Sequence, residues 1–378
     1  MCLLEKRYKV GILNKGLFVF KFSIIFFVSF ISCRRDSSPI PDEFLVVPAF
    51  VRAADLSFLP EMRQAGVKFK NRGGQLEDPL KTLATNGMNM IRLRVWHRAD
   101  GKYSLRDTEK LASEARQFHL PVWVSLHYSD TWADPGTQIK PSSWQDLDFN
   151  LLKDSVYHYT YRVASTLKPS ILQIGNEINS GFLWPDGHIL HHDQMIALLA
   201  EGIRGCRDAS PQTKIMLHYA GLSGSSVFFD ASSTLDYDFT GLSYYPIWHG
   251  KSLAETGAVI QRLKNTFKKE VLIAETSYPF TLDWADYTNN ILGLNTQIIP
   301  SYPATPEGQL SFLQALGQTI GQSGGRGWCY WGAEWVAAYG PHSTHGSSWE
   351  NQALWDFGFQ ALPAIVNFGS TEEYFSEN

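Results

Sequence analysis

With 378 residues and 44% hydrophobic content, the chain is long enough to bury a large core; length alone suggests two domains, a rule that barrels routinely exceed as single domains. The formal net charge is −4, and no basic stripe or arginine run supplies the electrostatic footprint of a nucleic-acid-binding protein. Aromatic residues make up 13% of the chain, with 12 Trp and 16 Tyr; they are good core residues, so composition does not separate core packing from flat stacking platforms in a ligand cleft.

In chain order, Lys6, Arg7, Lys9 and Lys15 precede an apolar run from Leu17 to Ser32, interrupted mainly by Lys21 and ending at Cys33. A basic region, an apolar region and a small residue before a cleavage point predict an export signal. The run is too short for a comfortable membrane span and carries a lysine. Ser32 before Cys33 resembles a bacterial lipoprotein signal, in which the cysteine is lipidated after cleavage, although Phe30 stands where such boxes usually have Leu. The alternative is a soluble secreted protein with an incidental cysteine. A lipidated Cys33 would anchor stably. The expected division is therefore a signal peptide over 1–32, a polar, proline-containing tether over 33–45 after lipidated Cys33, and a catalytic domain over 46–378. The expected location is exported and membrane-anchored through that lipid, on the surface or periplasmic face of a bacterial outer membrane. Cys206 and Cys329 lie far apart in helical and strand contexts, and are read as buried free thiols.

From Phe50 onward short apolar strands alternate with helical stretches. The strands are predicted at Phe50–Asp55, Met88–Trp96, Val122–His127, Ile171–Glu177, Lys214–Tyr219, Phe239–Tyr245, Val271–Glu275 and Gly327–Gly332. Helical periodicity marks Asp107–Phe118, Asp148–Leu167, Asp193–Ala209, Leu253–Lys268 and Pro306–Gln322. Alternation implies a parallel sheet, and eight repeats over about 330 residues imply closure into a (β/α)8 TIM barrel with one catalytic domain. An open doubly wound sheet lacks its best support, because no Gly-x-Gly-x-x-Gly follows the first strand.

Barrel active sites lie at the C-terminal ends of the strands. The fourth strand runs into Glu177 and the seventh into Glu275, each after a largely apolar run. A buried, unpaired carboxylate is expensive. One such glutamate reads readily as a cap or an ion-pair partner; two, on strands facing each other across the mouth, point to chemistry. Two carboxyls about 5 Å apart permit double displacement at a glycosidic carbon. Alternation puts Arg92, Arg94 and Trp96 on one side of the second strand. Arg94 is placed near the mouth to support a carboxylate, with Arg92 divided between that role and a salt bridge lower in the barrel. His127, Asp130 and His218 are expected to line the pocket; a lone strand histidine is more often a satisfied core residue than a catalyst. His188, His191, His192 and Asp193 fit no familiar zinc spacing.

The chain resembles glycoside hydrolase family 53, the endo-β-1,4-galactanases, at a set of strings spanning about residues 50–365. These are Ala54-Asp55-Leu56-Ser57, the run from Asn89 to Trp96, and His127-Tyr128-Ser129-Asp130-Thr131-Trp132-Ala133-Asp134-Pro135-Gly136. They continue with Gln173-Ile174-Gly175-Asn176-Glu177-Ile178-Asn179, Leu183-Trp184-Pro185, the run from Gly241 to Pro246, Ala274-Glu275-Thr276-Ser277-Tyr278-Pro279 and the run from Asn351 to Asp356. The resemblance implies retaining hydrolysis of β-1,4-galactan, the pectic side chains of type I arabinogalactan, with Glu177 as acid/base and Glu275 as nucleophile. Asn176 is expected on the sugar 2-hydroxyl, and Tyr245, or its neighbour Tyr244, on Glu275. Trp96, Trp132, Trp184, Trp331 and Trp335 are candidate platforms. The family commonly has Tyr-Trp-Glu-Pro at the eighth strand; here Tyr330-Trp331-Gly332-Ala333-Glu334-Trp335 displaces the glutamate by two residues and puts the pocket beside Trp331 in question. Some bacterial relatives hold calcium in the following loop. Here 342–350 carries few carboxylates, so neither metal nor cofactor is expected. The rival readings are another β-glycanase of the same clan, such as a mannanase, and a noncatalytic glycan-capturing surface lipoprotein.

Overall fold

Eight strands pair in parallel in chain order, and the last closes on the first: Val51–Asp55 (β1), Met90–Val95 (β2), Val122–Leu126 (β3), Ile171–Ile174 (β4), Lys214–Ala220 (β5), Phe239–Ser243 (β6), Glu270–Thr276 (β7) and Gly327–Tyr330 (β8). Helices Leu59–Gln64 (α1), Pro79–Thr85 (α2), Leu105–Gln117 (α3), Phe149–Leu167 (α4), His192–Ala209 (α5), Ser225–Ala231 (α6), Pro246–His249 (α7), Leu253–Phe267 (α8) and Pro306–Gln322 (α9) lie between them. This is the (β/α)8 barrel expected. The computed structural model describes residues 41–369; the predicted signal, Cys33 and most of the tether lie outside them. No helix among the described residues is long and apolar enough to cross a membrane.

The five predicted helices are all present, and their ends follow local chemistry. Asp148, the expected start of the fourth helix, stands just outside α4 and accepts from the backbone N–H groups of Asn150 and Leu151, which would otherwise have no partner. Leu152, Val156, Tyr159, Val163 and Leu167 then form the buried stripe of α4, at the spacing that puts them on one face.

Alternation sorts the strand residues into two sets. Val51, Ala53, Met90, Trp123, Ile171, Met216, Phe239, Leu272, Ala274 and Cys329 cluster inside the barrel. Leu93, Val95, Val124, Leu172, Ile215, Leu217 and Ile273 belong to the larger core that the helices cover. The inward set is apolar near the strand starts. Two residues further on, or four on β6, it turns polar: Asp55, Arg92, Ser125, Gln173, His218 and Ser243 are all buried. At the other end, Val47 packs on the interior cluster and the Ser170 hydroxyl donates to the Phe44 carbonyl, so the entering chain covers the strand starts. Cys206 on α5 and Cys329 on β8 are buried free thiols, as predicted.

Candidate active site

The fourth strand stops at Ile174, three residues short of its predicted end. Gly175 follows at φ +79, where an added Cβ would sit 2.5 Å from the Ile178 side chain. Glu177 is itself in the left-handed region at φ +47, a conformation that costs a residue with a side chain roughly 1–3 kcal/mol. The turn is held from β5: the backbone N–H of Glu177 donates to His218 Nδ1 at 3.3 Å, and that of Ile178 to the His218 carbonyl at 2.9 Å. It lifts the half-buried Glu177 carboxyl into the cleft at the strand ends. The Ser243 hydroxyl donates to Oε1 at 2.5 Å. Burial, and then the negative charge of Glu275, push the Glu177 carboxyl up to about 8, against the pull of Ser243 and Arg92.

Glu275 reaches the same cleft by another device. Along β7, Ile273 pairs with Leu242 but Glu275 pairs with Ser243. Ala274 is thus an extra residue, a bulge of the kind that re-aims side chains beside functional sites. Both Ala274 and Glu275 face inward in consequence. Arg92 Nη2 donates to Glu275 Oε1 at 2.8 Å, and the Tyr245 hydroxyl donates to Oε2 at 3.0 Å. Tyr244 instead donates to the Gly250 carbonyl, so Tyr245 is the residue that orients Glu275. Arg92 is only 1% exposed. Its Nη1 donates to Asp55 at 2.8 Å, and its Nη2 also faces Asn176 Oδ1 at 2.9 Å and Gln173 Oε1 at 3.2 Å. Desolvation works against that guanidinium charge, but Glu275 and Asp55 hold it firmly in place. Burial pushes the Glu275 carboxyl up, while Arg92 and Tyr245 pull it back. Glu177 has no cation bonded to it. Of the two glutamates, Glu275 is therefore the one to carry the charge and Glu177 the proton.

The cleft around them holds about 510 Å³ and is lined by His127, Trp132, Asn176, Tyr245, Trp248, Trp331, Trp335 and Trp349, among others. A larger hollow of about 810 Å³ lies at the strand starts around Lys214, Phe239 and Glu270, but Glu270 faces Lys264 and Arg326 there. Flat aromatic walls around two unlike carboxyls suit a polyhydroxylated ring whose glycosidic bond is to be cleaved.

A family model, glycosyl hydrolase family 53, matches residues 51–368. The chain belongs to glycosyl hydrolase family 53. An arabinogalactan endo-β-1,4-galactanase from Cellvibrio japonicus is 34% identical over 345 residues, 84% of this chain and 90% of that one. Arabinogalactan endo-β-1,4-galactanase A from Emericella nidulans is 35% identical over 324 residues, 81% and 90% of the two chains. Among solved structures, the family 53 catalytic domain from Ignisphaera aggregans is similar at TM-score 0.80 and 35% identity, covering 85% of this chain and 96% of that one.

Family 53 strings do not all converge on the cleft. Arg94 does not touch either glutamate: its guanidinium lies 4.0 Å from the centre of the Trp132 ring, 4.1 Å from Tyr103 and 4.7 Å from Phe58. It backs an aromatic wall, and Arg92 takes the role expected of Arg94. Asp130 is turned away; it accepts from the backbone N–H and hydroxyl of Ser142 and lines a separate surface hollow. Trp96 is buried against Tyr103 and Trp132, and Trp184 donates to the Ser180 carbonyl beside His188. Neither lines the cleft. His127 does, with Nδ1 accepting from the Ala133 N–H. His218 lies beneath Glu177 rather than on the wall; burial, then the charge of Arg92, keep it neutral. Trp248 and Trp349 were missed. The only signal for Trp248 was its place two residues after the Tyr245-Pro246 strand end, and nothing in the 342–350 loop marked Trp349. The displaced Glu334 is fully buried. Its oxygens sit near the N–H groups of Phe58 and Glu334 but in no normal hydrogen-bond geometry. Burial, then the charge of Asp55, raise its carboxyl well above the usual range.

No group of three or more His, Cys, Asp or Glu side chains is arranged to hold a metal among the described residues. Asp286 Oδ2, Asn290 Oδ1 and Glu350 Oε2, on the loops after β7 and β8, are buried without hydrogen-bond partners.

Proposed function

We propose that the chain is a retaining endo-β-1,4-galactanase acting on the β-1,4-galactan of type I arabinogalactan, with Glu275 as nucleophile and Glu177 as acid/base. The observation that carries the assignment is the asymmetry of the pair. One carboxyl is braced by Arg92 and Tyr245, and the other faces the same cleft with only a serine hydroxyl on it. The galactan substrate is taken from what the relatives' names say of those proteins.

In the first step a Glu275 oxygen bonds to the anomeric carbon as the glycosidic bond breaks, and Glu177 gives its proton to the departing oxygen. In the second, Glu177 takes a proton from water as that water's oxygen bonds to the anomeric carbon and releases Glu275. Asn176 Nδ2 gives one hydrogen to the Ala133 carbonyl at 2.9 Å, which leaves the second for the sugar 2-hydroxyl. Trp132, Trp248, Trp331, Trp335 and Trp349 supply the stacking surfaces. Residues 1–32 are the export signal in this reading, and lipidated Cys33 holds the enzyme to a bacterial outer membrane.

Galactan hydrolysis followed by proton NMR tests the proposal: the first product is expected as the β-anomer. With azide and an activated aryl β-galactoside, Glu177→Ala is expected to yield β-galactosyl azide, and Glu275→Ala to give none of it. An α first product, hydrolysis of mannan in preference to galactan, or exchanged behaviour of the two variants would overturn the assignment.

A further inference from the structure

Beneath Glu177 a chain of hydrogen bonds has a fixed direction. His218 is fully buried, with Nδ1 facing the Glu177 backbone N–H at 3.3 Å, Gln173 Nε2 at 2.9 Å and Asn176 Oδ1 at 3.2 Å, an oxygen that already accepts from Arg92 Nη2 at 2.9 Å. The backbone hydrogen has one position, so Nδ1 must accept. The Gln173 amide agrees, since its Oε1 faces Arg92 Nη2 and its Nε2 is left toward the imidazole. A neutral imidazole that accepts at one nitrogen carries its proton on the other. His218 Nε2 therefore donates to Ser243 Oγ, 3.0 Å away. With that donor occupying a lone pair, the one hydrogen of Ser243 goes to Glu177 Oε1.

We propose that Ser243 is a positioning residue for the general acid: His218 fixes its hydroxyl as a permanent donor to Glu177 Oε1, so that Oε2 is the oxygen that carries and transfers the proton. The inference rests on the reading of Glu177 as acid/base. A donor that cannot reverse favours the carboxylate over the acid, and so sets the upper pH at which Glu177 still holds its proton. The charged and titratable groups facing Glu177 are Glu275 from β7, Arg92 from β2, Asp134 from the loop after β3 and Tyr245 from the loop after β6. His218 faces Arg92 and His249. Burial brings His249 down to about 4 and keeps His127 and His218 neutral. None of the three histidines changes charge on the alkaline side.

The test is kcat/KM on galactan against pH for the full enzyme and for Ser243→Ala and Ser243→Cys, since the alkaline limb reports the general acid of the free enzyme. Ser243→Ala is expected to move that limb up by about one pH unit. Ser243→Cys, a weaker donor, is expected to move it part of the way, with the acid limb fixed in both. Imidazole ¹⁵N NMR of the unmutated enzyme is expected to place the His218 proton on Nε2, a readout that needs no variant. A stationary alkaline limb, a downward shift, or a proton on Nδ1 would overturn the proposal. The underlying assignment fails separately, if Glu177→Ala keeps the wild-type alkaline limb on galactan.

Discussion

Tyr245→Phe isolates one of the two bonds that hold Glu275 ready as a nucleophile. The hydroxyl donates to Oε2 at 3.0 Å, and Arg92 stays on Oε1 at 2.8 Å. A hydrogen bond to a charged group contributes roughly 1.5–3 kcal/mol, and one pKa unit corresponds to about 1.36 kcal/mol. Arg92 remains and the cleft admits water to Oε2, so the lower end applies, about one unit. The sign follows from what the phenol bonds to: removing a donor from a carboxylate penalises the ionised form, so the Glu275 pKa rises. The nucleophile then needs a higher pH to be charged, and the acid limb of kcat/KM moves up by about one pH unit. The plateau falls roughly ten- to a hundred-fold, because a loosened nucleophile leaves its reacting geometry. An activated aryl β-galactoside is the right substrate, since its first step makes little demand on Glu177. The ring of Tyr245 stays packed between Trp248 and Trp349, so the melting temperature should hardly change. An acid limb that stays in place, or moves to lower pH, would refute the argument that Tyr245 stabilises the charged form of Glu275.

Two other outcomes are expected. The Glu334 carboxyl is raised in the fold above its ordinary 4.5, so the folded state binds that proton more tightly than the unfolded one. Its favourable contribution is complete below about pH 4.5 and is lost as pH rises toward the folded value, by about 1.4 kcal/mol per unit. Glu334→Gln should thus gain stability over wild type between pH 5 and 8 in urea unfolding, and a difference independent of pH would contradict it. At the N-terminus, mass spectrometry of the membrane fraction should find a mature chain beginning at lipid-bearing Cys33; a soluble mature protein beginning elsewhere would refute the anchor.

The barrel was legible in the sequence because its signals are local. Each strand is a short apolar run, the five long helices carry their own periodicity and four of them a side-chain N-cap, and eight strand–helix pairs have few ways to close. Glu177 and Glu275 were legible for a related reason: a carboxylate ending an apolar strand is costly unless something uses it. The resemblance at Gly175-Asn176-Glu177 added weight, and at the turn the glycine is required sterically.

What the sequence did not decide depends on which side chains meet across the barrel. Strict alternation from Leu272 and Ala274 would point Glu275 outward, and only the bulge against Ser243 turns it in. Arg92 and Arg94 share one side of β2 and the same chemistry. Two residues of rise put Arg92 level with Asp55, Asn176 and Glu275, and Arg94 among Phe58, Tyr103 and Trp132. Asp130, inside the longest matching string, turns to Ser142 because a loop has no fixed period to aim it. Trp248 and Trp349 reach the cleft from the segments after β6 and β8 for the same reason. Sequence alone determined the order of strands and helices and which polar residues stand at or just past the strand ends, since that is a matter of local order. Only the closed barrel decided which of them touch, because those contacts join residues as far apart as Arg92 and Glu275, and no local signal encodes their distance.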